Sequence, residues 1–353
     1  MPVLTRLIPS PVVVDIRRGA LDDLAGLLAD QRISSSGRLA VAISGGSGAA
    51  LRERLAPALP DADWFEVGGG SIDAAVRLSN AMSGKNYDAL VGLGGGKIID
   101  ASKYAAARVG LPVVAVATNL SHDGICSPVA TLDNDHGRGS YGVPTPIALV
   151  IDLDVVRQAP QRFVRSGVGD AISNINAMAD WELSNQVTGE RVDGLAGAMA
   201  RTAGEAVLRH TGGIGDDDFL TTLAEALVLS GIAMSVSGDS RPASGSCHEI
   251  LHAFDILYPQ RAPAHGEGAG IGAAFAMHLR GAAEESGQIV EVLRRHGLPV
   301  LPGEAGFSDE EFVRVVEYAP QTRPGRFTIL EHLDLDSDAI RDAYADYVKA
   351  IGS

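Results

Sequence analysis

Histidine is sparse in this chain, nine residues in all, yet three lie between Ser240 and Gly266, in SRPASGSCHEILHAFDILYPQRAPAHG. His248 and His252 stand four apart in a run that can be helical, which puts both imidazoles on one helix face. His265 follows and opens HGEGAGIGAAFAMHL, the pattern of the first turn of a second helix. Two helices meeting at a shared pair of imidazoles make a candidate divalent-metal site, because neutral imidazole suits zinc and iron alike. A structural site would want a fourth ligand, whereas a catalytic one keeps a position open for substrate or water. The plainer reading is a half-buried helix that happens to carry histidines, and HxxxH alone does not separate the two.

A second stretch has the chemistry of an anion cradle. In DALVGLGGGKIIDASKYAAARVG (88–110) a strand is expected to end at Gly92. Gly94, Gly95 and Gly96 then make the turn, and a helix starts near Lys97. Glycines there let the backbone approach a pyrophosphate, and free N–H groups with the helix dipole favour the anion. The spacing is not the GxGxxG of the standard dinucleotide fingerprint. The next apolar run, LPVVAVAT, leads into ATNLSHDGICSP (117–128). There Thr118, Asn119, Ser121, His122, Asp123 and Ser127 give a loop more polar groups than a turn needs. RLAVAISGGSG (38–48) is another strand–turn–helix unit whose helix could face a phosphate. No acidic residue directly ends its strand, where an NAD-restricted enzyme often sets one against the ribose 2′-hydroxyl. Ser44 and Ser47 stand there instead, which leaves NADP open.

The elements that must position these residues divide the chain near residue 160. Before it, strands (11–16, 39–43, 63–69, 88–92, 111–118, 146–155) alternate with helices, which predicts a parallel sheet covered on both faces with ligands at the strands' carboxyl ends. Ser71 is the expected cap of the helix after 63–69. After residue 160 helical periodicity takes over. RSGVGDAISNINAMADWELSNQ is expected to be helical after Gly169, with Asp170 at the helix N-terminus and Asn174 one turn on. Further helices are expected over 190–211, 216–237, 245–257, 266–285, 287–296, 308–318 and 337–350. In the irregular TRPGRFTILEHL (322–333), Arg323 and Arg326 are candidate anion contacts.

Composition narrows the partners. A net charge of −15 argues against nucleic acid and anionic membranes, both of which need a basic face. A small anionic ligand needs only a local pocket. Two cysteines, Cys126 and Cys247, suggest a reduced compartment without a disulfide framework. MPVLTRLIPSPVVVDIRRG lacks the long apolar region of a signal peptide, and no apolar run is expected to reach about 18 residues. A soluble, cytoplasmic protein without membrane insertion is expected. The apolar C-terminal helices suggest a homo-oligomer.

Taken in order, GGGKIIDASKYAA, SHDGICSP, GDAISN, SRPASGSCHEILHAFD, HGE and TRPGRFTILEHL resemble the sn-glycerol-1-phosphate dehydrogenase family. That family lies within the larger group of glycerol dehydrogenases, iron-containing alcohol dehydrogenases and dehydroquinate synthases, and the resemblance spans nearly the whole chain. It implies a dehydroquinate synthase-like fold: an α/β cofactor domain with a Rossmann-like parallel sheet over 1–160 and an all-α metal- and substrate-binding domain over 161–353. It implies Asp170, His248 and His265 as metal ligands, to Zn2+ in this branch with Fe2+ the other option. His252 and Asp123 would then stand beside the substrate. Gly94, Gly95, Gly96, Lys97, Asp100, Thr118, Asn119, Ser121 and Ser127 would follow an NAD or NADP cofactor. Lys103 and the aspartate at 170 fit the dehydrogenases rather than the synthases.

The implied activity is hydride transfer between NAD(P)H and dihydroxyacetone phosphate, giving sn-glycerol 1-phosphate. The same mechanism on another polyol, polyol phosphate or small ketone is the alternative, followed by a dehydroquinate-synthase-type cyclase. Several positions depart from the family pattern and bear on the substrate. Cys247 and Leu251 replace a usual Glu and Ser, TNLS replaces TAAS, Gly268 follows HGE in place of Gln, and 134–142 replaces a stretch that usually carries a lysine.

Overall fold

The apolar runs of the first 160 residues assemble as parallel strands because most are apolar on both faces, as a sheet covered on two sides requires. In the computed structural model, which describes residues 9–135 and 137–352 and leaves the side chain of Ser47 outside the description, they are β1 (Val13–Arg17), β2 (Leu39–Ser44), β3 (Asp63–Val67), β4 (Ala89–Gly94) and β5 (Val113–Ala117). Two antiparallel strands, β6 (Val129–Asn134) and β7 (Gly137–Gly142), form a separate hairpin before β8 (Ala148–Asp152). The six-stranded sheet has the order β1-β8-β5-β4-β2-β3, parallel throughout. Residues 1–8, the start of the stretch considered for a targeting signal, and His136 within 134–142 lie outside the described residues.

Helices α1 (Leu24–Leu28), α2 (Ser47–Leu55), α3 (Ile72–Met82), α4 (Gly96–Val109) and α5 (Leu153–Gln158) complete this part. Ser71 caps α3 as expected, accepting from the Ala74 N–H. On one face of the sheet Leu24, Leu28 and Leu55 pack on Val41, Ile43, Val91 and Val116. On the other, Ala74, Leu78, Ile98 and Ala105 pack on Ala42 and Leu90. Neighbouring strands β2 and β4 therefore send their following helices to opposite faces. That arrangement opens a crevice at the two strands' carboxyl ends, between Ser44–Gly48 and Gly94–Gly96.

Two local readings of this part need correction. β4 runs two residues past Gly92, to Gly94, and α4 starts at Gly96. The glycines lie inside the strand because α4 crosses so closely. A Cβ on Gly92 would sit 2.8 Å from Ser102 Cβ, and one on Gly94 2.8 Å from Ile98 Cβ. The β6–β7 hairpin was not foreseen, since GRGSYG has little strand propensity. Tertiary packing decides it: Leu132 joins the α4 core, and Tyr141 meets Tyr104 edge-on at 5.3 Å.

The rest of the described chain is helical: α6 (Gln161–Thr188), α7 (Gly194–Arg209), α8 (Asp217–Ser237), α9 (Ser246–Leu257), α10 (His265–Leu279), α11 (Ala283–Arg295), α12 (Asp309–Tyr318), α13 (Ile329–Leu333) and α14 (Ser337–Gly352). The chain folds as two compact units. One takes the described residues up to Asn119, then Gly124–Ala159 and Met234–Gly238; the other takes Leu120–Asp123, Pro160–Ala233 and the described residues from Asp239. α8 has the length and hydropathy of a membrane span, a mean of 1.7 over its most apolar 18 residues, but 67% of that window is buried inside the protein. It is a core helix.

Asp170 is not at a helix N-terminus. It lies in the third turn of the 28-residue α6. Gly169, after which the helix was expected to start, and Gly167 serve instead as points of close approach. A Cβ on Gly169 would meet the Gly266 carbonyl oxygen at 2.0 Å, and one on Gly167 would meet the Leu120 carbonyl oxygen at 2.1 Å.

His296, just past α11, is buried and stacks on Phe219 at 4.5 Å, and its Nε2 has no hydrogen-bond partner among the described residues. Burial, with the charges of Arg295 and His210, pushes its pKa down to about 4. A depressed histidine favours the fold fully above its unfolded value near 6.5 and loses that contribution as pH falls toward 4. Between pH 7 and pH 5 the native state should lose roughly 2 kcal/mol through this group. Urea unfolding at the two pH values, compared with His296→Phe, checks it; an equal loss in the variant would refute the assignment.

Candidate active site

Three helices bring the metal candidates together. α6 and α10 meet backbone to backbone at Gly169 and Gly266, where a Cβ on Gly266 would lie 1.6 Å from the Ser166 carbonyl oxygen. The Gly266 N–H is held by Ser166 Oγ at 3.0 Å. α9 and α10 approach at Gly272, whose added Cβ would meet the Cys247 backbone oxygen at 2.7 Å. The N-terminus of α9 is fixed by buried Asp180 of α6, which accepts from the Ser246 N–H and Oγ, both at 2.7 Å. Its other oxygen takes the Ile329 N–H at 2.8 Å and pairs with Arg280.

This packing places one potential ligand atom from each of Asp170, His248 and His265 within 4.8 Å of one another. Asp170 Oδ1 is 3.1 Å from His265 Nε2 and 3.6 Å from His248 Nε2. His248 turns its Nδ1 to Cys247 Sγ at 3.3 Å, leaving Nε2 for the cluster. Burial works to raise the Asp170 carboxyl, but His248 and His265 outweigh it and hold the group far below the usual carboxylate range. Burial pushes His248 down to about 4 against the pull of Asp170. His265 feels burial too, but Asp170, Asp123 and Asp255 raise it. One carboxylate and two imidazoles are a donor set that fits zinc or iron.

Asp123 and His252 sit around this cluster. The Asp123 N–H donates to Asp170 Oδ2 at 2.8 Å, and Asp123 Oδ2 accepts from Ser230 Oγ at 2.8 Å. Ser230 is also bonded by Asn174 Nδ2 at 3.0 Å, so Asn174 supports Asp123 through it. Sequence reasoning missed Ser230; a hydroxyl within the otherwise apolar ALVLSGIAM was the available signal. The His252 ring lies 6.2 Å from that of His248, and its Nε2 is 2.9 Å from Arg323 Nη2. A guanidinium only donates, so Nε2 accepts and the neutral ring carries its proton on Nδ1.

Arg323 and Arg326 converge on Ser240 Oγ, at 3.3 and 3.1 Å, and Arg326 also donates to the Ser244 carbonyl oxygen. Both are partly buried, and among the described residues neither forms an ion pair with a carboxylate. Burial, with the neighbouring charges of Arg323 and Arg241, pulls Arg326 down to about 10. Arg241 itself is paired with Glu190. Two of the departures from the family pattern form one packing unit: a Cβ on Gly268 would meet Leu251 Cδ1 at 2.7 Å. Cys126 and Cys247 are both buried, and burial pushes the Cys247 thiol up to about 12.

The cofactor candidates fall in two places. Gly94, Gly95 and Gly96 turn from β4 into α4, and Lys97 follows as the exposed residue of the first turn, its side chain lying over Gly70. Thr118 donates its N–H to the Gly94 carbonyl oxygen at 3.0 Å. Asn119 lies against Gly95, with a buried Oδ1 that has no partner among the described residues. That orphaned acceptor beside a glycine turn fits a ligand that supplies a donor. Asp100 and Ser127 are buried and engaged by protein. Asp100 pairs with Lys103 at 2.8 Å and accepts from the Thr131 N–H at 3.1 Å. Ser127 Oγ donates to the Val129 carbonyl oxygen at 3.1 Å. Lys103 Nζ also ties down the carbonyls of Gly124, Ser127 and Val129. Asp100 and Ser127 thus shape the 124–131 segment. Ser121 belongs with Asp123 in the helical unit.

Fold and cluster define a class. Residues 15–160 match the family model of iron-containing alcohol dehydrogenases. A probable glycerol dehydrogenase from Sinorhizobium meliloti shares the fold over 99% of each chain, with a TM-score of 0.78 and 24% identity. The closer likeness lies in sequence. The chain is 37% identical over 328 residues to the glycerol-1-phosphate dehydrogenase [NAD(P)+] of Methanospirillum hungatei, covering 91% of this chain and 89% of that one. It is 37% identical over 278 residues to the enzyme of the same name from Hyperthermus butylicus, covering 78% and 79%. The chain belongs to the glycerol-1-phosphate dehydrogenase family, as its motifs implied.

Proposed function

We propose that the protein is a metal-dependent, NAD(P)-linked dehydrogenase that interconverts dihydroxyacetone phosphate and sn-glycerol 1-phosphate in the cytoplasm, as a homo-oligomer. Asp170, His248 and His265 would hold the divalent ion, zinc in the first instance and Fe2+ in the second. Gly94, Gly95, Gly96, Lys97, Thr118, Asn119 and Ser121 would receive the dinucleotide, with Asp100 and Ser127 shaping its loop. When bound, the ion supplies Lewis-acid polarisation of the ketone and the reduced nicotinamide supplies the hydride.

The chain's own residues do the rest. Asp123, fixed by Ser230 and by its N–H on Asp170, orients the substrate's hydroxyl. His252 holds a proton on Nδ1 beside the cluster, where it can exchange it with the substrate oxygen through a hydroxyl or water relay. The observation that carries the choice of a phosphorylated substrate is the Arg323–Arg326 pair, two partly buried cations with no carboxylate partner among the described residues, one of them on His252. Fork-shaped donors of this kind suit a phosphate.

Arg326→Ala should lower kcat/KM for dihydroxyacetone phosphate by about 100-fold, the loss of one charge-assisted contact or slightly more. Turnover of unphosphorylated dihydroxyacetone should stay within a few-fold. Equal losses on both ketones would mean that the arginine is structural and that the phosphate is held elsewhere.

A further inference from the structure

β2 ends at Ser44 and is followed by Gly45, with no acidic residue there to meet a coenzyme ribose. The fold supplies one from the next strand. β3 pairs in parallel with β2, with Ile43 opposite Glu66 and Ser44 opposite Val67, so Glu66 stands opposite the next-to-last residue of β2, near the carboxyl end of the sheet where Gly45 is the first residue after β2. Its side chain turns toward that residue: a Cβ on Gly45 would lie only 2.3 Å from Glu66 Oε1 and 3.2 Å from Cδ. Glu66 follows Trp64 by two positions, so both share the α2 face of the sheet. Glu66 is exposed and makes no hydrogen bond or ion pair among the described residues. Among the described residues, Gly46, at φ 66°, and Gly68 have nothing within 4 Å of an added Cβ.

This is one wall of the crevice between β2 and β4, whose other wall is the Gly94–Gly96 turn. In open parallel sheets a dinucleotide lies across such a crevice, with its pyrophosphate on the glycine turn and its adenosine ribose toward the neighbouring strand. We propose that Glu66 is the coenzyme-selecting carboxylate of this chain, binding the adenosine ribose hydroxyls of NAD(H) and repelling the 2′-phosphate of NADP(H). The assignment rests on the dehydrogenase reading above and sharpens its coenzyme from either nicotinamide dinucleotide to NAD(H). A cation on the same face, Arg52, is held over the Trp64 ring at 5.8 Å, back along β3 from the carboxylate. A 2′-phosphate carries nearly two negative charges, and a single carboxylate about 5 Å away in a water-like dielectric disfavours it by roughly tenfold.

The test measures binding, independently of turnover. Dissociation constants of NADH and NADPH are obtained by nicotinamide fluorescence on the metal-loaded protein and on Glu66→Gln, an exposed change that leaves the core untouched. The wild type should bind NADH about tenfold or more tighter than NADPH. In Glu66→Gln the NADPH affinity should rise about tenfold while NADH shifts by no more than about threefold. The wild-type preference should also shrink in 1 M salt, as a charge effect must and a steric one need not. Equal wild-type affinities, or a variant that moves both coenzymes alike, would overturn the role of Glu66 and leave the dehydrogenase reading standing. Failure of the wild type to bind either coenzyme would overturn both.

Discussion

Asp170→Asn should lose the metal before it loses the fold. Zinc-loaded wild type should carry about one ion per chain, and the variant a small fraction of that after desalting, because a neutral amide is a poor replacement for the one anionic ligand of three. Reduction of the ketone should fall by roughly three orders of magnitude or more, the several kcal/mol that a Lewis acid contributes to a developing alkoxide. The fold should survive for a local reason. The amide oxygen can still accept the Asp123 N–H now bonded at 2.8 Å, and α6 is pinned independently by Asp180 and by its glycine contacts. Elemental analysis, with far-ultraviolet circular dichroism as the control for folding, decides the matter. A variant that keeps both its zinc and its turnover would remove Asp170 from the ligand set.

Gly266→Ala should instead unfold the protein. Its Cβ would lie 1.6 Å from the Ser166 carbonyl oxygen and 2.5 Å from the Ser166 carbonyl carbon, both backbone atoms of a buried helix that cannot turn aside. Relief requires α6 and α10 to separate, which opens the interface carrying Asp170 and His265. The destabilisation should exceed about 3 kcal/mol, the upper range for overpacking. Gly287→Ala is the matched control. That glycine sits on α11 with nothing among the described residues within 4 Å of an added Cβ, so alanine there should stabilise by about 0.5–1 kcal/mol. Urea midpoints measure both; a Gly266→Ala protein with an unchanged midpoint would show that the helices are not in backbone contact.

These two positions also show what the sequence could and could not reveal. The parallel sheet was legible because β4, β5 and β8 are buried at every position and read as apolar runs. The start of α10 at His265 and the His248/His252 face of α9 followed from helical periodicity alone. Asp170 was named through family resemblance, yet its place on the helix was misread, because Gly167 and Gly169 look the same whether they break a helix or let another cross it. Only the partner backbone distinguishes the cases. The hairpin at 129–142 depends on packing against Tyr104 rather than on its own propensities. Glu66 and Ser230 escaped notice because each acts on a residue far away in sequence, Gly45 through strand register and Asp123 through a long-range hydrogen bond.

The most direct test of the account is oxidation of NADH by the zinc-loaded protein, with dihydroxyacetone phosphate and dihydroxyacetone compared side by side. Fast turnover of the phosphate is expected, with much slower turnover of the free ketone and loss of both in His248→Ala. Preference for the unphosphorylated ketone, or turnover that survives in His248→Ala, would contradict it.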